Sequence, residues 1–121
     1  MKPNKDSTRY YSNMQENSIC SALHATKQPN SGASTFRKGD AINYGASLLV
    51  EAKTCMKEKD SFSIKREWIE KNREEAFSQR VSNGCIAFSF GPALPNYYVI
   101  DEHLMRFLVE KLEEEYSDEQ K

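Results

Sequence analysis

The sequence predicts an α/β domain in which a central mixed β-sheet is flanked by helices. Three stretches carry apolar residues at helical spacing, and four short stretches have the composition of strands; their order is α-β-β-α-β-β-α. The middle helical stretch separates two pairs of strands and is long enough to connect parallel neighbours. With 121 residues, the chain is long enough to bury the core of one domain.

In chain order the expected elements are a helix over residues 12–26, strands over 36–44 and 48–55, a helix over 63–80, strands over 85–90 and 97–100, and a last helix after residue 101. Ser12 is a favourable N-cap for the first helix, and Ile19 and Leu23 share one of its faces. A glycine-containing turn separates the first two strands. The second of these strands is apolar except for Glu51 and Lys53.

The second half of the chain begins with a helix that is apolar on one face and charged on the other. The two closing strands are joined by a segment rich in glycine and proline over residues 91–96. Asp101 is expected to cap the last helix. Four apolar side chains of that helix are expected to face inward: Leu104, Phe107, Leu108 and Leu112.

The net charge of −1 hides an uneven distribution. Residues 1–39 carry a net charge of +4, residues 40–100 are neutral, and residues 101–121 carry −5. One interpretation is a flexible basic N-terminus with a solvated acidic tail; the other is a basic functional face in the first third of the chain. We expect a flexible basic arm over residues 1–11, one domain over 12–116 and an acidic tail over 117–121.

The three cysteines, Cys20, Cys55 and Cys85, are odd in number and widely spaced. This pattern argues against a disulfide framework and a zinc site, and it predicts a reducing cytoplasmic setting. No apolar run approaches the ~20 residues of a membrane helix, and no secretory signal is visible. We therefore expect no membrane partner.

The strand that contains Glu51 and Lys53 carries the strongest chemical signal. Side chains alternate along a strand, so these two residues point to the same face. An edge-strand ion pair would explain them without a function. Asp40, however, lies on the preceding strand, and antiparallel pairing can bring it beside Glu51. Two neighbouring carboxylates repel each other unless a cation neutralises them, and oxygen ligands suit Mg²⁺ or Mn²⁺.

Asp40 after Gly39, followed by Glu51-Ala52-Lys53, resembles the motif of the PD-(D/E)XK nuclease superfamily. The wider chain resembles archaeal-type Holliday junction resolvases and small phage-encoded proteins of that kind. Glu16 on the first helix matches a further acidic residue of these enzymes. The Ser- and Gly-containing loop over 30–34, the helix entry over 61–68 and the two closing strands also match. Gly39 stands where the motif has proline.

The resemblance implies a restriction-endonuclease-like fold and a Mg²⁺-dependent endonuclease, in which Mn²⁺ substitutes, that resolves four-way DNA junctions. It implies three kinds of role. Metal ligands would be Asp40, Glu51, the Ala52 carbonyl and Glu16. Lys53 would act on the attacking water or the phosphate. A loop serine would contact the scissile phosphate, with Ser34 and Ser31 as equally defensible choices.

Phosphate binding needs cations near the metal site. Seven basic residues are expected to contact DNA: Lys27, Arg37, Lys38, Lys57, Lys59, Lys65 and Arg66. A basic arm with Lys2, Lys5 and Arg9 is expected to add to them. Two symmetric cuts predict a homodimer, acting in the cytoplasm or in that of a phage host. Two alternatives stay open: a repair or restriction-type nuclease on duplex or flap DNA, and a catalytically weak DNA-binding module on the same fold.

Overall fold

A computed structural model describes residues 8–28 and 40–119 of the chain. In chain order the elements are α1 (Thr8–Leu23), β1 (Thr26–Lys27), β2 (Ala41–Asn43), β3 (Leu48–Lys53), α2 (Arg66–Ser78), β4 (Asn83–Ser89), β5 (Asn96–Val99) and α3 (Glu102–Glu119). The α/β class and the mixed sheet are confirmed, and the observed order adds one short strand to the predicted one.

The five strands form one sheet in the order β1-β2-β3-β4-β5. Only β3 and β4 run parallel, and α2 connects them and lies against both. The other neighbours are antiparallel. In the tight turn between β2 and β3, the Asn43 Oδ1 accepts a hydrogen bond from the Ala46 N–H at 2.9 Å. This turn fixes the register that pairs Ala41 with Val50.

Two hydrophobic cores lie on opposite faces of the sheet. On the α1 face, Ile19 packs with Val50 and other residues of the sheet. On the α2 face, Leu49 packs with Ala76. Both Leu49 and Val50 are fully buried because β3 is covered on its two faces. Burial on both faces explains why this strand begins as a continuous apolar run.

Helix α2 ends in a Schellman motif. The Val81 N–H donates to the Ala76 carbonyl at 3.0 Å, and the Arg80 N–H donates to the Phe77 carbonyl at 3.1 Å. Val81 and Ala76 also pack together in the core, which is the hydrophobic contact that accompanies this motif. Arg80 occupies the left-handed position, with φ of 62°, that glycine usually fills.

The ends of α1 differ from the prediction. The helix begins at Thr8, so residues 8–11, expected in the flexible arm, are helical. It ends at Leu23 because His24 adopts a left-handed conformation, with φ of 54°, and the Ala25 N–H returns to the Cys20 carbonyl. The chain then forms β1, where the prediction continued the helix to residue 26. Residues 1–7 of the expected arm and 36–39 of the expected strand lie outside the described residues.

The prediction that α3 packs inward is wrong for three of its four residues. Only Leu104 is half-buried, whereas Phe107, Leu108 and Leu112 are 50%, 40% and 51% exposed. Asp101 does cap the helix, because its Oδ1 accepts a hydrogen bond from the Leu104 N–H at 2.9 Å. The helix continues to residue 119, through part of the expected acidic tail. Among the described helices, none has the length and apolar character needed to cross a membrane.

Candidate active site

Asp40 is held at the start of β2 by backbone hydrogen bonds on both sides. Its N–H donates to the Val50 carbonyl at 2.9 Å, and its carbonyl accepts from the Gln28 N–H at 3.1 Å. The Asp40 Oδ2 accepts a hydrogen bond from the Ala52 N–H at 2.6 Å. Because its hydrogen-bond partners on β3 are Val50 and Ala52, Asp40 lies beside the stretch of β3 that contains Glu51.

Glu16, on α1, forms a side-chain hydrogen bond with Asp40. The pKa of Glu16 is raised to about 7, first by burial and then by the charge of Asp40 and the hydrogen bond with it, while the Lys27 charge opposes this rise. Burial also raises the pKa of Asp40, while the hydrogen bond from the Ala52 N–H works in the opposite direction. Two carboxyl groups at hydrogen-bond distance share a proton. This is the position in which a divalent cation can replace that proton.

Glu51 and Lys53 form an ion pair on the α2 face of β3. The Lys53 Nζ lies 3.5 Å from the Glu51 Oε2, and the side chains are only 23% and 18% exposed, respectively. Of the two Glu51 oxygens, Oε1 is buried and has no hydrogen-bond partner among the described residues. A buried carboxylate oxygen without a donor is energetically costly, which makes it a fitting cation ligand.

Trp68, in the first turn of α2, lies against the catalytic-lysine candidate. The Lys53 Nζ is 4.4 Å from the centre of the indole ring, and the Lys65 Nζ is 5.8 Å from it. Both distances fall within the range of cation–π attraction. In the sequence, Trp68 is one apolar residue of the predicted helix over 63–80, and no pattern there links it to Lys53. The contact between Trp68 and Lys53 could have been predicted from the crossover topology, because a helix that follows β3 begins near the end of that strand, where Lys53 lies.

The four acidic and basic candidates do not form one closed cluster. Glu16 on α1 meets Asp40, and Glu51 and Lys53 contact α2, but the two pairs are linked because the Lys53 charge acts on Asp40 and opposes the rise in its pKa that burial causes. Within residues 8–28 and 40–119, no three acidic, histidine or cysteine side chains are grouped as a metal site. The donor chemistry nevertheless fits a hard cation: a carboxyl pair that holds a proton lies opposite a carboxylate with one unpartnered oxygen.

Five of the seven expected DNA-contacting residues lie in the described part of the chain, and all are exposed: Lys27, Lys57, Lys59, Lys65 and Arg66. Arg66 already pairs with Glu70 at 2.9 Å. Glu67 and Glu74 are also exposed on α2 near the Lys53 side chain, so acidic charge borders the site. The remaining expected contacts lie outside the described residues: Ser31, Ser34, Arg37 and Lys38.

Comparisons of the chain with protein-family models, with curated proteins and with solved structures give no match. A function is therefore proposed from the arrangement of Asp40, Glu51 and Lys53 alone.

Proposed function

We propose that the protein is a metal-dependent endonuclease with a restriction-endonuclease-like fold that hydrolyses phosphodiester bonds in branched DNA. The observation that most supports this proposal is the hydrogen bond from the Ala52 N–H to the Asp40 carboxylate, which holds Asp40 beside the stretch of β3 that contains Glu51. Lys53 follows on the same face of β3 as Glu51. Asp40 thus immediately precedes β2 and lies beside the stretch of β3 that carries Glu51 and Lys53.

Asp40 and Glu51 are the residues that would hold Mg²⁺ or Mn²⁺, together with the Ala52 carbonyl and Glu16. The bound cation would neutralise charge on the scissile phosphate and lower the pKa of a bound water. The raised pKa values of Glu16 and Asp40, caused mainly by burial, indicate that this position disfavours two full negative charges without a counter-charge. A cation site also needs an oxygen that is not already hydrogen-bonded, and among the described residues the Glu51 Oε1 is such an atom.

Lys53 supplies a positive charge that the phosphate or the attacking water can use. Its ammonium group is held from two sides, by the Glu51 carboxylate and by the Trp68 ring. Such preorganisation stabilises charge that develops in the transition state without the cost of reorienting the side chain. Lys57, Lys59 and Lys65 follow β3 and lie exposed, and they would bind the DNA backbone.

The proposed substrate is a four-way junction, cut by a homodimer whose two-fold symmetry matches the two symmetric cuts. The exposed carboxylates on α2 weaken the attraction of the site for phosphates. We therefore expect binding that depends on Mg²⁺ and falls steeply with salt.

The experiment compares cleavage of a synthetic four-way junction, a linear duplex and a flap, each with Mg²⁺ and with EDTA. We expect junction cleavage at least about 100-fold faster than duplex cleavage, abolished by EDTA and reduced about 1,000-fold in Asp40→Asn. Asp60→Asn, which changes an exposed carboxylate in the loop after β3, is the matched control.

Each other result selects an alternative. Equal or faster cleavage of duplex or flap DNA favours a repair or restriction-type nuclease. Junction binding without any cleavage favours a DNA-binding module. Undiminished cleavage by Asp40→Asn means that Asp40 is not a metal ligand.

A further inference from the structure

An open apolar groove lies on the α2 face of the sheet, beyond the edge of α2. Its volume is about 850 Å³, and its floor includes Ile86 of β4 and Val99 of β5. Ile69 and Phe77 of α2 also line it. Phe77 is 84% exposed, the largest exposed fraction among the large hydrophobic side chains of the described residues. A solvated Phe beside a half-covered sheet marks a surface that another element covers.

Helix α3 presents the complementary feature. Its apolar side chains recur at helical spacing and share one broad face, on which Met105, Leu108, Val109, Leu112 and Tyr116 are all at least 40% exposed. The opposite face carries charged residues. An 18-residue helix is marginal in water without a tertiary partner for its apolar face.

The start of α3 is fixed in a direction that keeps it out of its own groove. Only Ile100 and Asp101 separate it from β5. The Asp101 Oδ1 caps the helix by accepting from the Leu104 N–H, and its Oδ2 lies 3.7 Å from the Arg73 guanidinium. Folding the helix back would require a sharp reversal within Ile100 and Asp101 and would pull Asp101 away from Arg73, so a second copy of the chain is the better source of a helix for the groove.

The charges of helix and groove are complementary. Residues 102–119 contain seven acidic and two basic residues, a net charge of −5. The groove is bordered by Arg73 and Arg80, and Arg80 has no ion pair among the described residues. Arg73 is already paired with Asp101, so Arg80 is the basic group of the rim that an acidic polar face of a helix would meet.

The area also suffices for a stable dimer. An 18-residue helix is about 27 Å long and ~10 Å wide, so half of its surface is about 400 Å². Reciprocal exchange buries two helix faces and two grooves, about 1,200 Å² in total, at the lower end of the range of specific interfaces. Because Asp101 both lines the groove and precedes α3, the two contacts are adjacent and a two-fold axis can relate them.

We propose that the chain forms a homodimer by reciprocal exchange of α3, the apolar face of each helix filling the groove between α2 and β5 of the other copy. This assembly needs neither DNA nor a metal ion. It can therefore be tested without reference to nuclease activity, and each claim can fail while the other stands.

The test is sedimentation equilibrium of the full chain between about 1 and 100 μM. We expect a dimer that Leu112→Asp on the helix, or Phe77→Asp in the groove, weakens about 100-fold or more. Both positions are exposed within one chain, so the far-UV circular dichroism should stay unchanged. Ser117→Asp places the same charge on the polar face of α3, and it should leave the dimer intact. A monomer at 100 μM would overturn the proposal.

A mixing experiment separates this arrangement from pairing of α3 with α3. Phe77→Asp retains an intact helix, and Leu112→Asp retains an intact groove. A mixed dimer of the two variants has one fully intact contact and places both substitutions in the other. Because a contact already opened by one buried charge loses little more from the second substitution, the mixture should dimerise at least about 10-fold more tightly than either variant alone. A dimer that Phe77→Asp does not weaken, or a mixture no tighter than its components, contradicts the exchange.

Discussion

The Glu16–Asp40 pair makes the stability of the metal-free protein depend on pH. A folded-state pKa of about 7 lies above the ordinary value of Glu, about 4.3. Between these two values the folded chain binds more protons than the unfolded chain. Protonated Glu16 therefore makes its full contribution to the free energy of unfolding at pH values below the ordinary pKa of Glu. This contribution is lost as the pH rises through about 7.

We predict that the urea concentration at the unfolding midpoint of the metal-free protein decreases as the pH is raised from 5 to 8 at constant ionic strength. Glu16→Gln, which keeps a hydrogen-bond donor toward Asp40, should flatten this dependence. Mg²⁺ should raise the midpoint more at pH 8 than at pH 5, because it competes with the shared proton. Glu113→Gln, an exposed carboxylate of α3, should leave the profile unchanged. A midpoint that rises across this interval would mean that the two carboxyl groups do not share a proton.

Trp68 is predicted to be a positioning residue for Lys53. A cation–π contact is worth about 1 kcal/mol at a partly exposed site, so Trp68→Leu should lower the cleavage rate about 5-fold. Trp68→Phe keeps an aromatic face and should retain most of the rate. Single-turnover cleavage of saturated substrate is the measurement, with DNA affinity measured in parallel. Equal rates for the leucine and phenylalanine variants would show that the ring does not act through Lys53.

At the scale of elements, the C-terminus of α2 stores local strain. Arg80 adopts a left-handed conformation that glycine adopts without steric cost. Arg80→Gly should therefore raise the free energy of unfolding by about 0.5–1 kcal/mol. Arg80→Ala removes the same side chain but keeps the strain, so it should show no such gain. Urea denaturation of the three proteins below the dimerisation range distinguishes these outcomes.

The close approach of α2 to β4 depends on Gly84. A Cβ atom at this position would overlap the Asn72 side chain, whose Nδ2 donates to the Cys85 carbonyl at 3.3 Å. Gly84→Ala should destabilise the fold by about 1–3 kcal/mol. Adding Asn72→Ala should recover part of this loss, because it removes the overlapping atoms. Strict additivity of the two substitutions in a double-mutant cycle would argue against the contact.

Elements with strong local signals were predicted, and those decided by single backbone conformations were not. The apolar run before Glu51 predicted β3, and Asp101 predicted the start of α3. The two-residue strand β1 was missed, because it depends on the left-handed His24 that ends α1. No propensity rule places a histidine there in preference to a continued helix turn.

At the scale of the whole molecule, part of the candidate site was predictable. Alternation along β3 predicted that Glu51 and Lys53 share a face, and the hairpin register predicted Asp40 beside Glu51. The contact of Trp68 with Lys53 was missed, because it depends on how a crossover helix packs against the sheet. Periodicity showed that α3 has an apolar face but not that the face stays exposed in its own chain. For the same reason, residues such as Leu112 were wrongly assigned to the core of their own chain.

In the proposed function, Lys53 acts beside Asp40 and Glu51 in the Mg²⁺-dependent hydrolysis of branched DNA. The most direct test is single-turnover cleavage of a labelled four-way junction by the full chain, by Lys53→Ala and by Lys111→Ala. Lys111 is an exposed lysine of α3 and serves as the matched control. We predict cleavage by the wild-type chain and Lys111→Ala at rates within about twofold, and an approximately 1,000-fold loss in Lys53→Ala. Cleavage by Lys53→Ala at the wild-type rate, or no cleavage of any DNA by the wild-type chain with Mg²⁺, would contradict the account.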